Sequence, residues 1–259
     1  MPTFLFDDII FGPVSSRRLG KSLGINLLPT HRKICNFDCI YCECGLSPHE
    51  LIQKSHFPSA SDVKNALTAK LVHMKAQNDL PTTITFAGNG EPTLHPEFEA
   101  IILSTVEIRN RLAPQSKIAV LSNATLISRK TITSSLAKID LNILKLDSAL
   151  NNTINCINRP KLPFSADKLI DNLQEFRKKI IIQTLFLKGT VNGQYIDNTS
   201  PEELNALLDA YQLIKPEMVM IYTIARSTPV EGLEKIEKEQ LDAIGQTIEK
   251  LGIKVQISY

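Results

Sequence analysis

The sequence predicts an α/β fold in which about six parallel strand–helix units form a partial barrel. Three observations carry this expectation. From about residue 80 onward, short β-branched runs alternate with segments of helical period. Otherwise apolar strands end in polar residues, as they do where a barrel carries a site at the C-terminal ends of its strands. The 259 residues, 43% of them hydrophobic, supply one sizeable core and argue against a second large domain.

The first strand is expected at residues 24–28, running through Pro29 and the basic His31-Arg32-Lys33 into a cysteine-rich segment. Further strands are expected at 82–87, 117–121, 142–146, 180–187 and 217–222, each the length of a buried strand, with 254–258 as a short closing strand. Val63, Leu67, Leu71 and Met74 recur at helical steps, as do Leu204, Leu207, Leu208 and Tyr211, so each set marks the packing face of a helix. Phe98, Ile102 and Val106 mark a helix opened by Pro96, and Leu241, Ile244, Ile248 and Leu251 mark the last one. Ser200-Pro201-Glu202-Glu203 reads as a helix start, with a capping hydroxyl, a proline at the first position and a glutamate at the third. Ser165 and Ser128 read as simpler caps. Without a repeat or linker, residues 1–259 read as one domain, with 1–22 an N-terminal extension and 23–259 the partial barrel. Six units are too few to close an eight-stranded barrel, so the crossovers are expected to curl the sheet into part of a TIM-type barrel.

The formal net charge of +2 provides no whole-protein field toward nucleic acid or an anionic membrane surface, so any basic site must be local. Residues 1–18 carry Asp7 and Asp8 within their apolar part and lack the pattern of a signal peptide. The most apolar later stretches, 180–187 and 218–224, fall far short of the roughly 20 residues a membrane helix needs. A cytoplasmic protein with no membrane or DNA partner is expected. Five cysteines, three of them within eight positions, fit reduced metal-ligating thiolates better than a disulfide framework.

Cys35-Asn36-Phe37-Asp38-Cys39-Ile40-Tyr41-Cys42 places three thiolates in one compact loop. Three thiolates can hold an iron–sulfur cluster with one iron open to an outside ligand. The alternative is a zinc site with Cys44 or a histidine as fourth ligand, although no second C-x-x-C knuckle is present. Downstream, Gly88-Asn89-Gly90-Glu91-Pro92 is a turn whose glycines admit close backbone approach. Ser122-Asn123 and Lys145-Leu146-Asp147-Ser148 end the next strands, where helix capping is the competing role for Ser122 and Ser148. Gln183 and Lys188-Gly189 follow on the fifth strand, and Tyr222 to Arg226 on the sixth. Arg17 and Arg18, with Arg159 and Arg226, are candidates to grip phosphate or carboxylate of a substrate. Cys156 reads as an inert small hydrophobe or as a hydrogen-atom donor.

The C-x-x-x-C-x-x-C spacing, with an aromatic residue before the third cysteine, resembles the signature of the radical S-adenosylmethionine (SAM) superfamily. The resemblance implies a [4Fe-4S] cluster on Cys35, Cys39 and Cys42, whose open iron is chelated by the amino and carboxylate groups of SAM. It further implies that an external flavodoxin- or ferredoxin-like donor supplies one electron, and that cleavage yields methionine and a 5′-deoxyadenosyl radical. By the same resemblance Tyr41 lies against the adenine. Gly88, Asn89, Gly90 and Glu91 are similar to the motif that holds the methionine amino group, with Asn89 where the family has a second glycine. Ser122, Asn123, Lys145 and Asp147 would meet the ribose and carboxylate, and Gln183 and Tyr222 the adenine. Phe11-Gly12-Pro13-Val14-Ser15-Ser16-Arg17-Arg18-Leu19-Gly20, the cysteine run and the segment from Tyr222 to Pro229 resemble uncharacterised relatives of the wyosine-forming tRNA enzyme. An RNA base or nucleotide is then the favoured substrate class, and Cys44 and Cys156 are too few for a second all-cysteine cluster. The alternatives are a peptide- or protein-modifying enzyme, a glycyl-radical activase, or a zinc-stabilised RNA-binding module.

Overall fold

The computed structural model describes residues 4–47, 56–176 and 180–259. Its strands are β1 (Ile10–Ser16), β2 (Gly20–Ile25), β3 (Thr83–Phe86), β4 (Lys117–Ser122), β5 (Leu141–Lys145), β6 (Ile181–Val191), β7 (Gln194–Asp197), β8 (Met218–Thr223), β9 (Leu233–Lys235) and β10 (Lys254–Ser258). The sheet runs in the order β1-β2-β3-β4-β5-β6-β8-β10, parallel from β2 onward, with β1 antiparallel at one edge and β10 at the other. The expected units and closing strand are present, and the barrel stays open.

Helices α1 (Ala60–Ala76), α2 (Phe98–Leu112), α3 (Lys130–Leu136), α4 (Asn151–Ile157), α5 (Ala166–Gln174), α6 (Pro201–Ile214) and α7 (Lys238–Glu249) occupy the crossovers. They bury their apolar stripes on the outer face of the sheet, where Leu23, Ile84, Val120, Leu144, Ile182 and Val219 form the main core. Because strand side chains alternate, the other face of the same strands contributes a separate inner plug of Ala119, Ile143, Ile181 and Met220, closed by Leu19. Among the described residues no helix is long and apolar enough to cross a membrane.

Three expectations need correction. The first parallel strand begins at Gly20, not at residue 24, because it is the second arm of a hairpin that the Gly12-Pro13 pair disguises. A register shift between Phe11 and Val14 takes up that pair, and the Phe11 ring lies across Gly24, where a Cβ would stand 2.0 Å from it. The fifth strand continues past Leu187 and turns at Asn192-Gly193, whose φ values of 52° and 79° are those of a tight hairpin turn. Ser200 and Ser165 cap α6 and α5 as expected, each accepting from the N–H three residues on. Ser128 does not cap α3: it lies inside a preceding turn closed by Arg129 N–H to the Leu126 carbonyl.

The β1–β2 hairpin turn is tied across the open side of the barrel. Thr82 and Thr83 hydroxyls donate to the Leu19 carbonyl at 3.1 and 3.0 Å, and Gln256 Nε2 on β10 donates to the Arg18 carbonyl at 3.1 Å. The two sheet edges are thereby bridged by the segment that carries Arg17 and Arg18.

Candidate active site

The cysteine loop is clamped from two sides. Ile34 N–H donates to the Asn89 carbonyl and its carbonyl accepts from Glu91, while Asp38 and Ile40 N–H groups donate to the Asn158 and Ile157 carbonyls beyond α4. Asn123 Nδ2 adds a 2.6 Å bond to Asn36 Oδ1. So held, Cys35, Cys39 and Cys42 face a cavity of about 300 Å³ at the C-terminal ends of the strands, within the range of small-molecule sites. Gly88, Gly90, Glu91, Ser122, Asn123, Lys145, Gln183 and Tyr222 line the same cavity, as do Tyr41 and Cys44.

The three thiols are set in donors suited to thiolate. Phe37 N–H and Asn123 Nδ2 approach Cys35 Sγ at 3.5 and 3.7 Å, and Asn158 Nδ2 approaches Cys39 Sγ at 3.4 Å. Burial pushes the Cys35 thiol up to about 12 and raises Cys39 as well. Cys42 is held down at about 5, first by a hydrogen bond from Cys44 and further by Lys33, against the opposing effect of burial. Burial also opposes the charge of Lys33, but the Cys42, Cys35, Cys39 and Asp38 charges outweigh it and raise the ammonium. Lys33 is fixed by bonds to the Gly45 carbonyl at 2.7 Å and Asp38 at 3.3 Å.

The turn after β3 is built around Glu91, which is 2% exposed. Its carboxylate accepts from Thr93 N–H (3.1 Å), Thr93 hydroxyl (2.5 Å), Ser122 hydroxyl (2.8 Å) and Asn123 N–H (2.7 Å), locking the turn to the end of β4. Burial pushes the Glu91 carboxyl up and these donors offset only part of that. A carboxyl raised on folding stabilises most below its unfolded value and loses that contribution as pH climbs through the folded value. The contribution of Glu91 to stability is therefore expected to fall as pH rises from about 4.5 through its raised folded value, and Glu91→Gln to remove this component from pH-dependent denaturant melts. Gly90 has φ 134°, and a Cβ there would lie 1.9 Å from the Ile34 carbonyl oxygen. Gly90→Ala is expected to cost at least about 1–3 kcal/mol of stability from strain alone and to displace the loop, visible as a lower melting midpoint.

Behind the cavity wall, Asp147 gathers four donors. Asn158 Nδ2 (2.6 Å), Leu185 N–H (3.0 Å) and the Tyr41 hydroxyl donate to it, and Lys145 Nζ stands 3.5 Å away while also donating to the Tyr41 oxygen at 2.6 Å. Burial alone would lower the Lys145 ammonium, but Asp147, Tyr222 and Cys39 outweigh it and raise it.

A family model described as the radical SAM superfamily matches residues 30–199. The chain belongs to the radical SAM superfamily. A Brachyspira hyodysenteriae protein named GTPase Obg is 30% identical over 237 residues, which are 90% of this chain and 32% of that protein. A UPF0026 protein of Methanocaldococcus jannaschii is 34% identical over 185 residues, 69% of this chain and 54% of the relative, so the chain spans about half or less of these curated relatives. The crystal structure of Streptococcus suis SuiB bound to S-adenosylmethionine superposes with a TM-score of 0.64 at 16% identity, over 91% of this chain and 50% of that one. At that identity the likeness shows the shared fold. Superfamily members are enzymes.

The superfamily implies a [4Fe-4S] cluster and SAM, and the residues present fit both. Cys35 and Cys39 accept N–H groups at their sulfurs, Cys42 faces the same cavity with a depressed thiol, and the cavity has room and polar strand ends for a cofactor. Two expected cofactor contacts stand back from the cavity. Asn89 is fully buried, and its side chain ties the Phe6 and Pro29 carbonyls, which explains a side chain where the family has glycine. Asp147 lies behind Tyr41 and Lys145. Arg17, Arg18 and Arg226 line the cavity, with Arg226 bonded to Glu43 at 2.6 Å, whereas Arg159 lies outside it and lends its carbonyl to the cysteine loop. Lys33 and Asn158 were not singled out from the sequence: one looked like part of a basic turn, the other like a loop residue before Arg159-Pro160.

Proposed function

We propose that this chain binds a [4Fe-4S] cluster through Cys35, Cys39 and Cys42 and cleaves SAM reductively to abstract hydrogen from an anionic substrate, with an RNA base or nucleotide as the favoured class. The observation that carries this is the convergence of the three cysteines, the Gly88–Glu91 turn and the polar strand ends on one cavity. When bound, cluster and cofactor supply the 5′-deoxyadenosyl radical. The protein's part is orientation and exclusion of water. Glu91 fixes the turn, Asn123 and Asn158 direct N–H groups at the sulfurs, and Lys145 with Asp147 fixes the Tyr41 ring at the cavity wall. Arg17 at the mouth supplies positive charge for an anionic substrate, and an external flavodoxin- or ferredoxin-like donor would deliver the electron.

Anaerobic reconstitution is expected to give a brown protein with about four iron and four sulfide per chain. Dithionite should then release 5′-deoxyadenosine from added SAM. A colourless protein with stoichiometric zinc and no cleavage would refute the proposal. For the substrate class, modified nucleosides and small metabolites compared between wild-type and Cys39→Ala cells should reveal one missing product.

A further inference from the structure

The cavity that holds the cysteines is also lined by two polar groups without a hydrogen-bond partner among the described residues. Arg18 reaches in from the hairpin turn, its guanidinium carbon 4.6 Å from the centre of the Tyr222 ring, and its buried Nη1 has no hydrogen-bond partner among the described residues. Gln183 is 6% exposed, lines the same cavity, and its buried Nε2 also lacks a partner. The two are neighbours by register: Leu185 pairs with Tyr222 across β6 and β8, so Gln183 lies one inward position below the ring on which Arg18 rests. Below them Leu19, Ile143, Ile181 and Met220 close the barrel with apolar side chains, which leaves water or a ligand in the cavity as the remaining source of an acceptor.

A buried N–H with no acceptor carries its desolvation cost uncompensated, and the cost is greater when the group is charged. Arg18 also forms no salt bridge among the described residues, unlike Lys33, Lys145 and Arg226 around the same cavity. Its backbone is nonetheless fixed by Gln256 and its side chain by Tyr222, so the guanidinium is held in place before any ligand arrives. A cationic fork and an amide N–H at the closed end of a pocket present the donors that a two-oxygen anion accepts.

We propose that Arg18 and Gln183 form an oxyanion seat at the floor of the cavity, which holds a carboxylate or phosphoryl group of the substrate and leaves its carbon skeleton directed toward the cysteine loop. This rests on the enzyme reading above and adds to it the chemical group by which the substrate is anchored. The seat takes Gln183 from the adenine contact that the resemblance implies and gives it to the substrate, together with Arg18, which enters from the hairpin at the N-terminal end of β2.

The test uses the full chain with its cluster reconstituted and SAM bound but no reductant, so that the open iron is taken and nothing turns over. Carbon-13-labelled acetate and inorganic phosphate are titrated separately and followed by NMR line broadening. Saturable binding of acetate identifies a carboxylate seat, and binding of phosphate a phosphoryl seat. In either arm Arg18→Met and Gln183→Leu are each expected to weaken binding by about tenfold or more, the loss of one charge-assisted or buried hydrogen bond. Gln183→Glu keeps the side-chain volume and guards against a misfolded variant; it should abolish probe binding by placing a carboxylate against Arg18. The proposal is overturned if neither probe binds, if the variants bind as the wild type does, or if SAM affinity falls as far as probe affinity. Failure of cluster assembly or SAM cleavage in the wild type sinks the enzyme reading instead, whereas intact cleavage without probe binding sinks the seat alone.

Discussion

Cys39→Ala is expected to abolish iron incorporation and SAM cleavage, whereas Cys44→Ala is expected to retain both. Cys39 is the buried centre of the loop, with Asn158 Nδ2 directed at its sulfur. Cys44 also lines the cavity, but its single S–H is shared between the Gly88 carbonyl at 3.3 Å and Cys42, whose thiol it helps to hold down. In the proposed function Cys44 is therefore a neighbour that orients Cys42 rather than a fourth ligand. Its removal lets the Cys42 thiol rise and should weaken cluster binding by no more than the roughly 10–100-fold typical of groups that orient metal ligands. Iron and sulfide content, the visible absorption of the cluster and release of 5′-deoxyadenosine provide three readouts. Equal loss from both substitutions would mean four cysteine ligands and no open iron.

The central parallel strands β3 to β6 and β8 were legible because they are largely buried on both faces and so read as continuous apolar runs. The cysteine loop was legible because the chemistry demands the spacing itself. The hairpin was not, since Gly12-Pro13 reads as a break in any strand, and its tolerance depends on a register shift visible only once β1 lies beside β2. That omission concealed what Arg18 does. From the sequence it belongs to a basic loop before the barrel, whereas the tie between Gln256 and its carbonyl turns its side chain into the lumen. Asp147 was legible as a polar residue beyond a strand end but not as one lying behind the wall, because its orientation depends on the Leu185 N–H of the next strand and on Asn158. Asn158 in turn is delivered by a chain reversal after α4 in which Arg159 takes φ 47°, a conformation that a non-glycine sequence does not announce.

Lys145→Met is expected to destabilise the protein by about 3–5 kcal/mol, the cost of leaving a buried carboxylate without its counter-charge. Asp147 has no exposed side-chain surface, so it cannot recover hydration when the ammonium is lost. Its remaining donors, Asn158, Leu185 N–H and the Tyr41 hydroxyl, are dipoles rather than charges. Adding Asp147→Asn to Lys145→Met should restore part of the loss, because the second substitution removes the charge that the first left unpaired. Tyr41→Phe should cost less, about 1.5–3 kcal/mol, since it deletes one hydrogen bond to a charged partner and keeps the ion pair. Urea midpoints of wild type, Lys145→Met, Asp147→Asn and the double variant, at constant slope, measure the coupling directly, with Tyr41→Phe read beside them. If Lys145→Met unfolds at the wild-type midpoint, Asp147 does not depend on the ammonium. Lys145 would then be free to turn toward the cavity, and its charge would belong to ligand binding rather than to the wall that positions Tyr41.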